Sequence, residues 1–272
     1  MADHFGPQLA PLPSLVAAAE ATSRLRVGTF VLDNDFRHPA ALAKEAATVD
    51  LLSAGRLELG IGAGWNPADY RKTGLPFEAP GVRISRLEEA LAILEAYFAG
   101  DGPVSFEGRF YAVHDLDPAP RPVQRPRPPL LIGANGPRML RLAARHADIL
   151  NFPDRPPVGT STAGNPGLGI AFDAQLELVR QTAGERYAHL ELSSLLIPRV
   201  TDQPQAVLEG LAEQMHTTPE VVAAMPGTMV GSVEAIVEKL QRNRDQFDLS
   251  YPVLGLAALD AFTPIVARLA GT

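Results

Sequence analysis

Short apolar segments alternate with longer segments of helical periodicity along most of this 272-residue chain. The short segments are rich in β-branched and other apolar residues without polar alternation, which is typical of strands buried in a parallel sheet. The predicted strands lie near residues 25–32, 56–62, 129–134, 147–152, 192–200 and 250–256. This alternation predicts an α/β fold, either a doubly wound sheet or a (β/α)8 barrel.

Segments with apolar residues at helical spacing lie between the predicted strands. The predicted helices cover residues 40–54, 83–99, 136–147, 171–187, 203–215, 232–246 and 259–270. Residues 103–113 predict a small β-hairpin that turns at Glu107-Gly108. Residues 153–169 show no periodicity, and a loop of that length is usually a lid, a binding loop or a disordered segment.

Composition and charge exclude several classes of protein. The absence of cysteine excludes disulfides and thiolate catalysis and fits a cytoplasmic protein. The net charge of −7 argues against nucleic acid as a partner. No apolar run is long enough to span a membrane, and the amino terminus lacks the pattern of a signal peptide. The histidines show no metal-ligand spacing, so no metal is expected. Length and hydrophobic content suit a single domain over residues 1–272.

The end of one predicted strand is unusually poor in side chains. In "RLELGIGAGWNPADY", residues 56–70, Gly60, Gly62 and Gly64 precede Trp65, the only tryptophan of the chain. Main chain without Cβ atoms lets a flat ring or a phosphate approach closely. The alternative is that the glycines only allow tight packing of strand and helix and that Trp65 belongs to the core.

Seven blocks of the sequence, in order, resemble those of the bacterial luciferase-like family. The blocks are "ADHFGP" (2–7), "RVGTFVL" (26–32), "RLELGIGAGWNPADY" (56–70), "RLEEALAIL" (86–94), "FEGRFYAV" (106–113), "PPLLIGANGPRMLRLAARHADI" (128–149) and "MVGSVEAIVEKL" (229–240). The chain is most similar to the branch that depends on coenzyme F420, a deazaflavin. The resemblance implies a (β/α)8 TIM-type barrel.

The resemblance also implies that the barrel is incomplete at its amino-terminal side. In the family, a strand, a helix and a second strand precede the Asp-His motif, whereas Asp3 and His4 here follow Met1 almost directly. The first strand, the first helix and most of the second strand are therefore expected to be missing. Because a barrel needs all its strands to close, a shortened chain is favoured over an open barrel.

The resemblance assigns roles to several residues of this chain. It makes His4 the acid/base that exchanges a proton with the substrate and puts Asp3 on the cofactor side, and histidine suits this role because it titrates near neutral pH. It places Ala63, Gly64 and Trp65 along the ring of the cofactor. Without the resemblance, His4 is a polar residue near a chain terminus.

Two further segments match cofactor-binding positions of the family. Thr29, Phe30 and Val31 match the segment behind the ring, where the family carries a cis peptide bond that corresponds here to Phe30–Val31. Asn135 and Gly136 match a turn that contacts phosphate, and the start of a helix favours a phosphate in any case. The alternatives are an ordinary trans strand for the first segment and a simple helix start for the second.

The resemblance favours an oxidoreductase that transfers a hydride between the reduced deazaflavin and a small organic substrate. The alternatives are a monooxygenase of the same fold that uses reduced FMN, and a flavin-binding relative without catalysis. Homodimers are common in the family. Arg121, Arg125 and Arg127 are candidates for binding an anionic tail of the ligand, although arginines in a proline-rich loop are more often solvated.

Overall fold

The computed structural model describes residues 1–153 and 172–271 and divides the chain into two compact units. The first unit consists of Met1–Gly133 and His146–Asp148, and the second of Ala134–Arg145 and Ile149–Thr272. Both combine helices with parallel strands, so the predicted α/β class is confirmed. Among the described residues, no helix is both long and apolar enough to cross a bilayer.

The helices of the first unit all begin at a proline, whose fixed φ suits the first helical position and whose missing N–H has no partner there in any case. These helices are α1 (Pro11–Glu20), α2 (Pro39–Leu52), α3 (Pro67–Thr73) and α4 (Pro80–Ala99). The strands are β1 (Val27–Gly28), β2 (Leu32–Asp33), β3 (Leu57–Gly62), β4 (Val104–Glu107), β5 (Ala112–Leu116) and β6 (Leu130–Gly133). β4 and β5 form the predicted antiparallel hairpin.

β3 is the central strand of the first unit. It pairs in parallel with β1 and β2 on one side and with β6 on the other. Leu57, Leu59 and Ile61 of β3 are at most 1% exposed, and because they stand at alternate positions they bury one face of the strand. The register sets Leu32 opposite Ile61 and Leu59 opposite Leu130. The carboxyl ends of β2 and β3 therefore lie side by side.

The second unit repeats the combination of helices and parallel strands. Its helices are α5 (Pro137–His146), α6 (Phe172–Ala183), α7 (Pro204–Met215), α8 (Pro219–Ala224), α9 (Val233–Phe247) and α10 (Leu259–Leu269). Its strands are β7 (Ile149–Phe152), β8 (Glu191–Leu195), β9 (Ile197–Val200), β10 (Thr228–Gly231) and β11 (Leu249–Val253). β8 pairs in parallel with β7 and β11, and β9 pairs in parallel with β10.

Two predicted strands are wrong as single elements. Residues 25–32 contain only the separate strands β1 and the start of β2, and residues 192–200 are divided between β8 and β9. At the second break the chain changes partner: Leu196 donates its N–H to the carbonyl of Val253, and Ile197 donates to that of Gly227. Apolar patterning does not reveal such a change, because both halves are equally suited to a strand.

Four elements were not predicted: helices α1, α3 and α8 and strand β10. The three helices are short, and β10 has only the four-residue sequence "TMVG", which follows Gly227 and ends at Gly231. The other predicted helices and strands are confirmed with shifted ends, except that 3-10 turns follow α6 within the predicted helix 171–187. Of the predicted loop 153–169, residues 154–169 lie outside the described residues.

A buried carboxylate ties the proline-rich loop to α2. Asp50 is fully buried, and its Oδ2 accepts hydrogen bonds from the N–H groups of Val123 (2.7 Å) and Gln124 (2.9 Å). Its Oδ1 accepts from Nε2 of Gln124 at 2.7 Å. The loop therefore keeps a defined path although it has no helix or strand of its own.

Candidate active site

Gly60 and Gly62 at the end of β3 accommodate the segment that joins β1 to β2. A Cβ atom on Gly60 would lie 2.0 Å from the carbonyl oxygen of Thr29, and one on Gly62 would lie 3.1 Å from the side chain of Val31. The Thr29 hydroxyl donates to the Gly60 carbonyl at 2.7 Å and accepts from the Gly60 N–H at 2.8 Å. The packing interpretation therefore explains these two glycines.

The segment from Gly28 to Val31 has hydrogen bonds on both sides. The peptide bond Phe30–Val31 is cis, as the resemblance implies. The N–H of Phe30 donates to the carbonyl of Met1 at 2.6 Å, and the Met1 amino group donates to the carbonyl of Gly28 at 2.9 Å. On the other side, Thr29 bonds to β3. The main chain here is thus held between β3 and the first residues of the chain.

His4 lies beside Trp65 and binds a buried carboxylate. Its Nδ1 is 2.7 Å from Oδ2 of Asp69, whose side chain is 3% exposed. The rings of His4 and Trp65 meet edge to face with centroids 5.5 Å apart. The His4 side chain is 32% exposed and Trp65 is 54% exposed, so a ligand can reach both rings. Trp65 is therefore a surface residue of the site and not a core residue.

Asp69 is held by three donors. Oδ2 also accepts from Nδ2 of Asn66 at 2.7 Å, and Oδ1 accepts from the N–H of Phe5 at 3.0 Å. Burial acts to raise the pKa of Asp69, but the hydrogen bonds from His4, Phe5 and Asn66 outweigh burial and leave this pKa below its ordinary value. Asp69 is therefore an ionised acceptor at neutral pH.

Asp3 is engaged by the protein itself. Its carboxylate accepts from Nη1 of Arg37 at 2.5 Å and from Nη2 at 3.2 Å, and it also accepts from the N–H of Asp33 at 3.2 Å. Asp3 is 8% exposed. The geometry gives Asp3 a part in fixing the chain next to His4, while its contact with a cofactor stays a prediction.

The turn after β3 is closed on one side by buried polar groups. Gly64 has a φ of +74°, and a Cβ atom there would lie 2.0 Å from the Tyr70 hydroxyl and 2.5 Å from Oδ2 of Asp33. The carbonyl of Ala63 accepts from Nε of Arg83 at 3.1 Å. Only glycine fits at position 64, because both its backbone conformation and this close approach exclude a side chain.

A proton must be shared in this buried group. The Tyr70 hydroxyl lies 3.0 Å from Oδ1 of Asp33 and 2.9 Å from Oδ2 of Asp35. A hydroxyl has one proton, so it donates to one carboxyl and accepts from the other only where that carboxyl is protonated. Burial raises the pKa of Asp33 to about 6, and repulsion from Asp35 adds to this shift. Arg86 forms an ion pair with Asp35 at 2.8 Å, so Asp33 is the member that takes the proton.

Asn135 and Gly136 belong to the second unit and immediately precede α5. Gly136 has a φ of +95°. Oδ1 of Asn135 is buried and has no hydrogen-bond partner within the described residues. This oxygen is an acceptor, so an N–H or O–H group of a ligand would satisfy it, while the N–H groups at the start of α5 suit a phosphate. In the first unit, the candidate residues His4 and Trp65 are in contact. The candidate residues Asn135 and Gly136 belong to the second unit.

The weaker candidates have structural partners. Arg121 and Arg125 donate to main-chain carbonyl groups, and Arg127 pairs with Asp148. These contacts favour a role in holding the proline-rich loop. Among the described residues, no group of three or more histidine, aspartate or glutamate side chains is placed to hold a metal ion.

Sequence reasoning missed Asp69, although a signal was present. Asn66 caps α3 by accepting from the N–H of Ala68 at 3.1 Å, and Asp69 follows three residues after the cap. An Asn with an acidic residue three positions later marks a helix start. That pattern predicts α3 but not the contact with His4, which lies 65 positions away.

The described geometry defines a parallel α/β protein with a histidine–carboxylate pair at the end of a glycine-rich strand. A family model described as "Luciferase-like monooxygenase" matches residues 1–252. The chain therefore belongs to the luciferase-like monooxygenase family, and the resemblance found in its sequence blocks is confirmed.

Curated relatives match part of the chain. An "F420-dependent glucose-6-phosphate dehydrogenase" of Microbacterium testaceum (strain StLB037) is 37% identical over 156 residues, which cover 54% of this chain and 45% of that protein. The chain spans about half the length of the curated relatives it matches.

Solved structures match nearly the whole chain at low identity. An "F420-dependent secondary alcohol dehydrogenase in complex with an F420-acetone adduct" has a TM-score of 0.77 at 18% identity, covering 98% of this chain and 88% of that one. Monooxygenase RslO1 from Streptomyces bottropensis has a TM-score of 0.69 at 21% identity, covering 94% and 79% respectively. At these identities the likeness concerns the fold.

Proposed function

We propose that this chain is an oxidoreductase that transfers a hydride between coenzyme F420 and a small organic substrate. The observation that carries the proposal is the His4 imidazole, which is partly exposed, bound to a buried carboxylate and packed against an exposed indole. The relatives named as F420-dependent dehydrogenases support the choice of a deazaflavin.

This chain has side chains and main-chain groups of the chemical types that bind a deazaflavin. Trp65 offers an exposed flat surface for a ring. The second unit, considered by itself, offers the unpaired Oδ1 of Asn135 as an acceptor for an N–H or O–H group and the N–H groups at the start of α5 as donors to a phosphate. The bound cofactor supplies the hydride chemistry, and the protein supplies binding, orientation and the proton.

His4 handles the proton in this proposal. An imidazole has one ring nitrogen that can donate and one that can accept, so it can give a proton to a substrate oxygen or take one from it. The Asp69 carboxylate lies 2.7 Å from Nδ1 of His4 and fixes the orientation of the ring. Trp65 covers one edge of the imidazole and limits the positions that a substrate can occupy.

A second candidate is a monooxygenase that uses reduced FMN. The family description and the fold shared with monooxygenase RslO1 favour it. A flavin-binding relative without catalysis is the third.

The likeness of fold to these solved structures supports our proposal that the described strands belong to a (β/α)8 TIM-type barrel forming a single domain over residues 1–272.

The fluorescence of Trp65 can be used to test which cofactor binds. It is the only tryptophan of the chain, so any change in indole emission on titration reports this site. We expect oxidised coenzyme F420 to quench the emission with saturation, and FMN to quench it less at equal concentration. The variant Trp65→Phe removes the signal and serves as the control for inner-filter effects.

Turnover separates the three candidates. With reduced coenzyme F420 and a panel of small ketones and aldehydes, we expect oxidation of the cofactor that His4→Asn slows by about 10²–10⁴-fold with little change in cofactor binding. Oxygen consumption with reduced FMN, and no reaction with the deazaflavin, would overturn the proposal in favour of a monooxygenase. Binding without turnover across the whole panel would favour the third candidate.

A further inference from the structure

The contact between His4 and Asp69 defines which ring nitrogen carries a proton. Asp69 already accepts from two other donors, the side-chain amide of Asn66 and the main-chain N–H of Phe5. A carboxylate that accepts from these groups has no proton to give. The 2.7 Å contact with His4 therefore requires a hydrogen on Nδ1.

The other ring nitrogen is available to a ligand. Within the described residues, Nε2 of His4 makes no hydrogen bond to the chain, and the side chain is 32% exposed. Trp65 contacts the ring edge to face and restricts its rotation about χ2. The imidazole is thus held by Asp69 at Nδ1 and open at Nε2.

We propose that Asp69 is a positioning residue that keeps neutral His4 in the Nδ1–H form, so that Nε2 is the atom that exchanges the proton with substrate. The exchange itself rests on the proposed function. The reduced cofactor, when bound, would supply a hydride to a carbonyl carbon of the substrate. The doubly protonated form of His4 would break its Nε2–H bond and give that proton to the carbonyl oxygen, so that an alcohol forms. His4 becomes neutral, and Asp69 keeps its negative charge throughout.

The chain offers a matched control for this pair. His146 Nδ1 lies 2.8 Å from Oε1 of Glu95, a second histidine–carboxylate contact that takes no part in the candidate site. Asp69→Asn and Glu95→Gln both replace a carboxylate by the amide of the same shape. An amide on Nδ1 can donate, which favours the opposite tautomer, as in the catalytic triad with its carboxylate changed to an amide.

The tautomer is measured directly by long-range ¹H–¹⁵N NMR on the full chain without any cofactor. We expect neutral His4 of the wild type to carry its proton on Nδ1, and Asp69→Asn to move it to Nε2 or to mix the two forms. Glu95→Gln leaves the His4 spectrum unchanged. A wild-type His4 in the Nε2–H form overturns the inference even where the Asn variant does not fold.

Steady-state kinetics test separately whether Asp69 affects turnover. With the reduced deazaflavin, we expect Asp69→Asn to lower kcat by 10²-fold or more while the quenching curve of Trp65 keeps its midpoint, and Glu95→Gln to change neither. An unchanged kcat in Asp69→Asn, with the tautomer shifted, would overturn the role of Asp69. A wild type that shows the Nδ1–H form but no turnover with any deazaflavin substrate overturns the proposed function and leaves the tautomer assignment standing.

Discussion

The protonation of Asp33 links single-residue chemistry to the stability of the first unit. The pKa of Asp33 in the folded protein is about 6, above its ordinary value of 3.8, so the folded state binds more protons than the unfolded state between these values. The stabilisation is complete below about pH 3.8 and is lost as the pH rises through about 6.

Asp33→Asn should remove this dependence. We expect the free energy of unfolding of the wild type, relative to that of the variant, to fall by about 2–3 kcal/mol as the pH rises from about 4 to about 7. Urea unfolding at a series of pH values measures this difference, and the subtraction cancels the titration of groups that the two proteins share. A difference that stays constant over the range would contradict the assignment.

Gly64 and Gly74 separate backbone conformation from steric overlap. Their φ angles are +74° and +75°, but a Cβ atom at Gly64 would overlap Tyr70 and Asp33, whereas nothing lies within 4 Å of one at Gly74. We expect Gly74→Ala to lower the free energy of unfolding by about 1 kcal/mol. Gly64→Ala should lower it by about 2–4 kcal/mol, because overpacking is added. Equal losses in urea unfolding would rule out the steric contribution.

Individual site residues were predictable where the family resemblance named them, and Trp65 also stood out because it follows a glycine-rich strand end. His4 and Trp65 were predicted in this way, and the structure places their rings in contact. Asp69, Asp33 and Tyr70 were not predicted, because their roles depend on partners between 35 and 65 positions away. The contacts of Thr29, Phe30, Val31, Ala63 and Gly64 with a cofactor stay predictions.

At the scale of elements, Asp50 joins α2 to the proline-rich loop, which has no helix or strand of its own. Asp50→Ala would leave three donors of Val123 and Gln124 without their acceptor. We expect a loss of about 2–4 kcal/mol in the free energy of unfolding, with faster proteolysis of the proline-rich loop. Asp50→Asn keeps one acceptor oxygen and should lose less. Identical stability of Asp50→Ala and the wild type would show that the loop is held by other contacts.

Proline at the first helical position marks helix starts in this chain, including three that were not predicted. Prolines occupy the first helical position of the predicted helices α2 and α5, and the same signal stands at Pro11, Pro67 and Pro219, where helices α1, α3 and α8 were missed. Strand breaks were not predictable in this way. The division of 192–200 depends on which strand each half pairs with, and that is decided by non-local hydrogen bonds.

At the scale of the molecule, the alternation of strands and helices predicted the α/β class but could not distinguish a doubly wound sheet from a barrel. Both architectures place ligands at the carboxyl ends of parallel strands, so the glycine-rich end of β3 was found without knowing which applied. The family assignment came from seven blocks in order, because each block alone is too short to be specific.

The edge-to-face contact of His4 with Trp65 couples the fluorescence of the indole to the imidazole. Because the chain has a single indole and it touches the imidazole, a change in the charge of His4 alters the electric field at the only strong fluorophore. In the unlabelled protein without cofactor, the emission of Trp65 should therefore respond to the protonation of the proposed proton donor.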